Sequence, residues 1–131
     1  MPAYDSKYFN PPAPLARVSL RSPHDGVMLN DVPMLIDSGS DATLIPKTVV
    51  SELKLELDEN EYEVESFAGQ KSTINAVRLE LVFGARTFRG RFLLIDSESG
   101  IIGRNVLNHL AVVLDGPRLS WHEQPSTTTS Q

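Results

Sequence analysis

Three observations predict a single, mostly β domain. Short apolar runs recur along the chain with β-branched residues alternating against polar ones, the two-residue period of a half-buried strand. Turn signals such as Pro23-His24-Asp25-Gly26, Gly84-Ala85 and Asp115-Gly116-Pro117 separate these runs at close intervals. A chain of 131 residues, 40% hydrophobic and 22% charged, is long enough for one core and lacks the composition of a disordered or membrane-spanning protein. The expected domain covers residues 15–122. Residues 1–14, with Asn10-Pro11-Pro12-Ala13-Pro14, read as a flexible proline-rich lead-in, and residues 123–131 as a flexible polar tail.

The elements follow in order. Leu15 to Leu20 alternates Val18 with Arg17 and Ser19, and the turn at Pro23–Gly26 returns the chain into Val27-Met28-Leu29 as a hairpin. Val32 to Ile36 is a second apolar run, stopped by Asp37-Ser38-Gly39-Ser40-Asp41. Pro46 to Leu53 suits a short, weak helix, since Thr48, Val49 and Val50 are β-branched. Tyr62 and Val64 alternate with glutamates before Phe67-Ala68-Gly69-Gln70, and Ile74 and Ala76 resume the pattern, which predicts a hairpin with a glycine-containing tip. Val77, Leu79, Leu81 and Phe83 share one face, with Arg78 and Glu80 on the other, before Gly84-Ala85 turns the chain into Thr87 to Ile95. Gly103 to Leu110 is the best helix, with Val106, Leu107 and Leu110 in one stripe. Ala111 to Leu114 and Arg118 to Trp121 close the chain as strands.

Composition excludes several chemistries. The absence of cysteine removes disulfides, thiol nucleophiles and cysteine-ligated zinc, and it fits a reducing compartment such as the cytoplasm. A formal charge of −5 argues against nucleic acid as the principal partner. The first residues lack the basic start and apolar run of a secretory signal, and no membrane partner is expected. His24, His109 and His122 show no ligand spacing, so neither metal nor cofactor is expected. Arg86, Arg89 and Arg91 read as a solvated basic strand, Glu56, Asp58, Glu59 and Glu61 as a solvated acidic turn, and Trp121 as cover for a core edge or subunit contact.

The informative feature is an acid at the end of an apolar strand, followed by a hydroxyl residue and glycine: Leu35-Ile36-Asp37-Ser38-Gly39. The hydroxyl can hydrogen-bond the loop, and glycine admits a ligand's close approach. Alone, such a tripeptide is common turn chemistry. Downstream stands a second feature, Gly100-Ile101-Ile102-Gly103-Arg104-Asn105-Val106-Leu107, an apolar pair, then glycine, then a helix. Ser38 is not read as a nucleophile, because Asp37-Ser38-Gly39 lacks the preceding glycine of a nucleophile elbow.

With both features and the glycine-tipped hairpin in this order, the sequence resembles the retropepsins, the retroviral and retrotransposon-type aspartic proteases, over about Leu15 to Leu119. The resemblance implies a retropepsin-like fold with one lobe per chain, one short C-terminal helix and an active site completed by homodimerisation. It implies that Asp37 is catalytic, that Ser38 and Gly39 support its loop, and that Gly39, Asp41, Ala42, Leu35, Gly69 and Ile101 contact substrate. It also implies an ion pair between Asp41 and Arg104. Phe67 is a further candidate wall residue.

Hydrolysis of this kind needs one carboxylate to take a proton from water and a neighbouring carboxylic acid to protonate the carbonyl oxygen. The chain holds one Asp-Ser/Thr-Gly, because Asp25 and Asp115 are followed directly by glycine and Asp96-Ser97 by Glu98. The second acid is therefore expected from a second copy. Two carboxylates about 3 Å apart repel by roughly 5 kcal/mol at an effective dielectric of about 20, so one stays protonated, as is already known of aspartic-protease dyads. The implied activity is endopeptidase cleavage of extended polypeptides at acidic to mildly acidic pH. The alternative is a retropepsin-like module that binds peptide or dimerises with little or no catalysis. The expected location is the cytoplasm or, alternatively, that of a segment released from a larger precursor.

Overall fold

The computed structural model describes residues 2–65, 69 and 71–125. Its strands are β1 (Tyr4–Asp5), β2 (Ala13–Arg21), β3 (Met28–Ile36), β4 (Leu44–Pro46), β5 (Leu57–Glu65), β6 (Lys71–Phe83), β7 (Arg86–Ile95), β8 (Gly100–Ile102), β9 (Val112–Asp115) and β10 (Ser120–Glu123). Two short helices, α1 (Thr48–Glu52) and α2 (Arg104–Leu107), complete the elements. An eight-stranded sheet runs in the order β1-β2-β3-β8-β4-β7-β6-β5, and β2 also pairs with β6, so the sheet curls back on itself in a barrel-like form.

Alternation along the strands builds the core. Val18 and Leu20 of β2, Val32 and Met34 of β3, and Val77, Leu79, Leu81 and Phe83 of β6 all point inward. Ile45, Phe92, Leu94, Ile102 and Val106 join them. Each such side chain contributes about 1.5–3 kcal/mol by leaving water. The same alternation puts Arg17, Arg78, Arg89 and Arg91 in solvent.

The β2–β3 hairpin forms across Ser22–Val27, with the Val27 N–H donating to Asp25 Oδ1 at 3.0 Å. That backbone bond holds the Asp25 carboxyl below the usual aspartate value. Met28 and Leu29 of the first apolar run and the whole of Val32–Ile36 belong to one strand. Leu29 and Val32 both pair with β2, and a register shift between Val18 and Leu20 absorbs the intervening residues. Likewise Ile74–Ala76 and Val77–Phe83 form one strand, since no turn residue separates Ala76 from Val77.

Three expectations need correction. Residues 1–14 are not a lead-in outside the fold. Tyr4 and Asp5 pair with Pro14 and Ala13, Tyr4 N–H donates to Leu119 O at 2.9 Å, and Trp121 N–H donates to Pro2 O at 3.1 Å. Prolines 11, 12 and 14 lack donors, yet the carbonyls and Tyr4's packing on the core suffice to seat the segment. The two helices are shorter than predicted. Pro46 ends β4 instead of opening α1, and α2 stops at Leu107 because His109 and Leu110 bond back three residues instead of four. The last strand begins at Ser120, since Leu119 sits at φ 50° and its N–H closes a turn onto Gly116 O.

Trp121 is a core residue. It is 4% exposed, its Nε1–H donates to Leu15 O at 2.9 Å, and its ring lies 5.8 Å from that of Phe83. No helix among the described residues is long and apolar enough to cross a membrane.

Candidate active site

The site grows from an unusual strand arrangement. β8 lies parallel to the end of β3, with Leu35 opposite Ile101 and Ile36 opposite Ile102, and on its other side Leu44 of β4 pairs with Ile101. The chain therefore leaves β3 at Ile36, loops through residues 37–43 and returns as β4 on the far side of β8. Asp37 begins that loop, and its N–H donates to Ile102 O at 3.0 Å, extending the ladder by one bond.

The loop closes on the carboxylate. Gly39 N–H donates to Asp37 Oδ1 at 3.0 Å, and Ser40 N–H to Asp37 O at 3.1 Å. A Cβ on Gly39 would lie 3.2 Å from that same Oδ1, so glycine leaves the carboxylate room to take the bond. Asp37 is partly exposed, and Ser38 and Gly39 lie open to solvent. The carboxylate can therefore meet both a ligand and a second acid.

The loop is then fastened to the segment after β8. Arg104 N–H donates to Ser40 O at 2.8 Å, and Arg104 Nη1 donates to Ser38 O at 2.7 Å. Thr43, 1% exposed, donates its hydroxyl proton to Asn105 Oδ1 at 2.7 Å and accepts the Gly103 N–H at 3.0 Å. Ser40 Oγ donates to Ala42 O at 2.7 Å. Two glycines permit this closeness. A Cβ on Gly103 would fall 2.1 Å from Ala42 O, and one on Gly100 would fall 2.4 Å from Leu44 O.

The structure brings most of the sequence candidates together. Asp37, Ser38, Gly39, Asp41 and Ala42 lie on one loop, and Leu35 and Ile101, register partners and both half-buried, stand side by side at its base. Gly69 lies between β5 and β6, exposed, with φ 79°. That angle favours glycine at a turn. Phe67 lies outside the described residues.

The expected Asp41–Arg104 ion pair is not formed. The guanidinium reaches under the loop to the Ser38 carbonyl, while Asp41 is exposed. Ser38 is held by its carbonyl in this chain, not by its hydroxyl. Thr43 was missed in the sequence, and Asn105, part of the downstream motif, was given no role there. A threonine four residues after the glycine of Asp37-Ser38-Gly39 carries no signal until its burial is known. Among the described residues no group of three His, Asp or Glu side chains could hold a metal ion.

The sequence model of a family described as aspartyl protease matches residues 24–106, more than half of the chain. Two solved structures share the fold. The EIAV protease complexed with the inhibitor HBY-793 superposes with a TM-score of 0.54 at 19% identity, covering 74% of this chain and 86% of the other. The simian foamy virus (mac) protease, solved in solution, gives a TM-score of 0.50 at 13% identity, covering 72% of this chain and 91% of the other. No curated protein matches the sequence.

Proposed function

Because the chain belongs to the aspartyl protease family and carries a retropepsin-like fold, we propose that it is an aspartic endopeptidase whose active site is assembled by two identical subunits. The observation that carries the reading is Asp37, held at a strand end by the Gly39 N–H on an otherwise open loop. One such acid cannot serve as base and acid together, and the chain carries one Asp-Ser-Gly. The second is supplied by the mate's Asp37 across a two-fold axis.

In the proposed step, one Asp37 carboxylate takes a proton from water as the water oxygen bonds to the scissile carbonyl carbon. The other Asp37, protonated, gives its proton to the carbonyl oxygen, leaving a neutral tetrahedral diol. Collapse of the diol returns one proton to the dyad and transfers another to the leaving nitrogen, so the pair regains its single shared proton. The substrate is an extended polypeptide that borrows strand-like hydrogen bonds from the Gly39 region and from the hairpin carrying Gly69, with Leu35 and Ile101 walling an apolar side-chain pocket. Asp41 and Ala42 flank the backbone of that peptide.

The test is cleavage profiling of a peptide library between pH 3 and 7, with sedimentation velocity to follow subunit association. Wild type is expected to cut, to be inhibited by pepstatin and to sediment as a dimer under cutting conditions. Asp37→Asn is expected to abolish turnover while the protein still folds. A dimer that binds peptide and leaves it whole would replace this reading with a binding or dimerisation module.

A further inference from the structure

The chain is acidic overall, yet one face of its sheet is not. β2, β6 and β7 lie side by side through the pairs Arg21–Glu80 and Glu80–Arg89, which form one row across three strands. In the next row Arg78 stands directly opposite Arg91. Arg17 continues the outward face of β2 beyond Ser19. Among the described residues, the outward positions of these three strands thus hold five arginines and one glutamate, on a chain of −5.

Glu80 indicates what this face accepts. Its carboxylate sits between two guanidiniums, 2.5 Å from Arg21 Nε and 2.6 Å from Arg89 Nε. Cα atoms two strands apart are about 10 Å apart, so a carboxylate on the middle strand falls within reach of both arginines. Arginine's planar fork suits this pairing better than lysine's point charge. The outward residues Arg17, Ser19, Arg21, Arg78, Glu80, Val82, Thr87, Arg89 and Arg91 include no aromatic ring on which a nucleic-acid base could stack.

We propose that this arginine face is a docking surface for an acidic segment of a partner polypeptide, separate from the loop that carries Asp37. Acidic side chains on an extended segment recur every ~6.8 Å on one face, matching the spacing of successive outward residues on β2 and β7. The attraction is electrostatic and falls with salt, since the Debye length shortens to about 10 Å at 0.1 M.

Fluorescence anisotropy of a labelled twelve-residue peptide of alternating glutamate and serine tests this, at 50 and 200 mM salt. Wild type is expected to bind at the lower salt and to weaken at the higher. Arg78→Glu/Arg89→Glu, two exposed positions, should lose at least tenfold in affinity with a melting temperature within a few degrees of wild type. Lys47→Glu/Lys54→Glu makes the same charge change elsewhere on the surface and should lose less than twofold. Equal losses in both double variants would overturn the proposal in favour of general charge attraction. Tighter binding of a DNA duplex of equal charge would make nucleic acid the occupant. Concentration-dependent self-association lost only in the arginine variant would make it a second copy of the chain. Absence of peptide binding by wild type at 50 mM salt would also overturn it.

Discussion

The loop around Asp37 and the arginine face of β2, β6 and β7 are held in place by different physics. At the loop, backbone groups and two glycines set the shape. Gly39, Ser40, Gly103 and Arg104 donate main-chain N–H bonds within or onto it, and Asp37 donates from it to Ile102 O. Approaches as close as Gly103 to Ala42 leave no space for a methyl group. On the outer face β6 and β7 form ordinary ladder, and charged side chains distinguish it. A site made of backbone fails abruptly when an atom is added, whereas a site made of surface charge changes by degrees.

Gly103→Ala sharpens that contrast most. Its Cβ would lie 2.1 Å from Ala42 O and 2.9 Å from Ser40 O, both main-chain atoms, so the loop must move away. The expected result is loss of a cooperative thermal transition, or a melting temperature lowered by more than ten degrees; a melt like that of wild type would show that the loop has room to adapt.

Thr43→Val comes second. It keeps the volume but leaves the Gly103 N–H without its acceptor and Asn105 Oδ1 without its donor. An unsatisfied buried group costs about 1–3 kcal/mol, measurable by urea unfolding. Thr43→Ser restores the hydroxyl and should recover most of that loss. If serine and valine behave alike, the hydroxyl is not what matters.

The smallest effect belongs to the outer face. Arg21 holds the Glu80 carboxyl below its usual value, with desolvation opposing and Arg89 assisting. A carboxyl with a lowered folded pKa contributes stability above its unfolded value, and the contribution is lost as pH falls through the folded one. Wild type should therefore lose stability relative to Glu80→Gln as pH drops from the ordinary glutamate value of 4.5 downward. Parallel stability curves for the two proteins across that range would contradict the ion-pair account.

Much of the site was legible because its motifs are local. Asp37-Ser38-Gly39 after an apolar run and Gly103-Arg104 after Ile101-Ile102 are contiguous, and each states its own backbone requirement. The ion pair was misjudged because the target of a long guanidinium depends on the path of a loop more than sixty residues away. That path presents the Ser38 carbonyl first. The role of residues 1–14 was missed because their partners, Leu119 and Trp121, lie at the other end of the chain. The solvated reading of Arg89 and Arg91 rested on β7 alone. Only the β2–β6 and β6–β7 registers put Arg21 and Arg78 beside them.

By itself the sequence determined the strand-rich class, the inward parity of β6 and the acid at the end of β3. These follow from the two-residue period and from turn chemistry, both local properties of the chain. The tertiary structure alone decided that β8 enters between β3 and β4, that Thr43 bolts the loop to Asn105 and that five arginines share a face. Those facts depend on which distant strands hydrogen-bond, and the burial of the whole core selects that pairing.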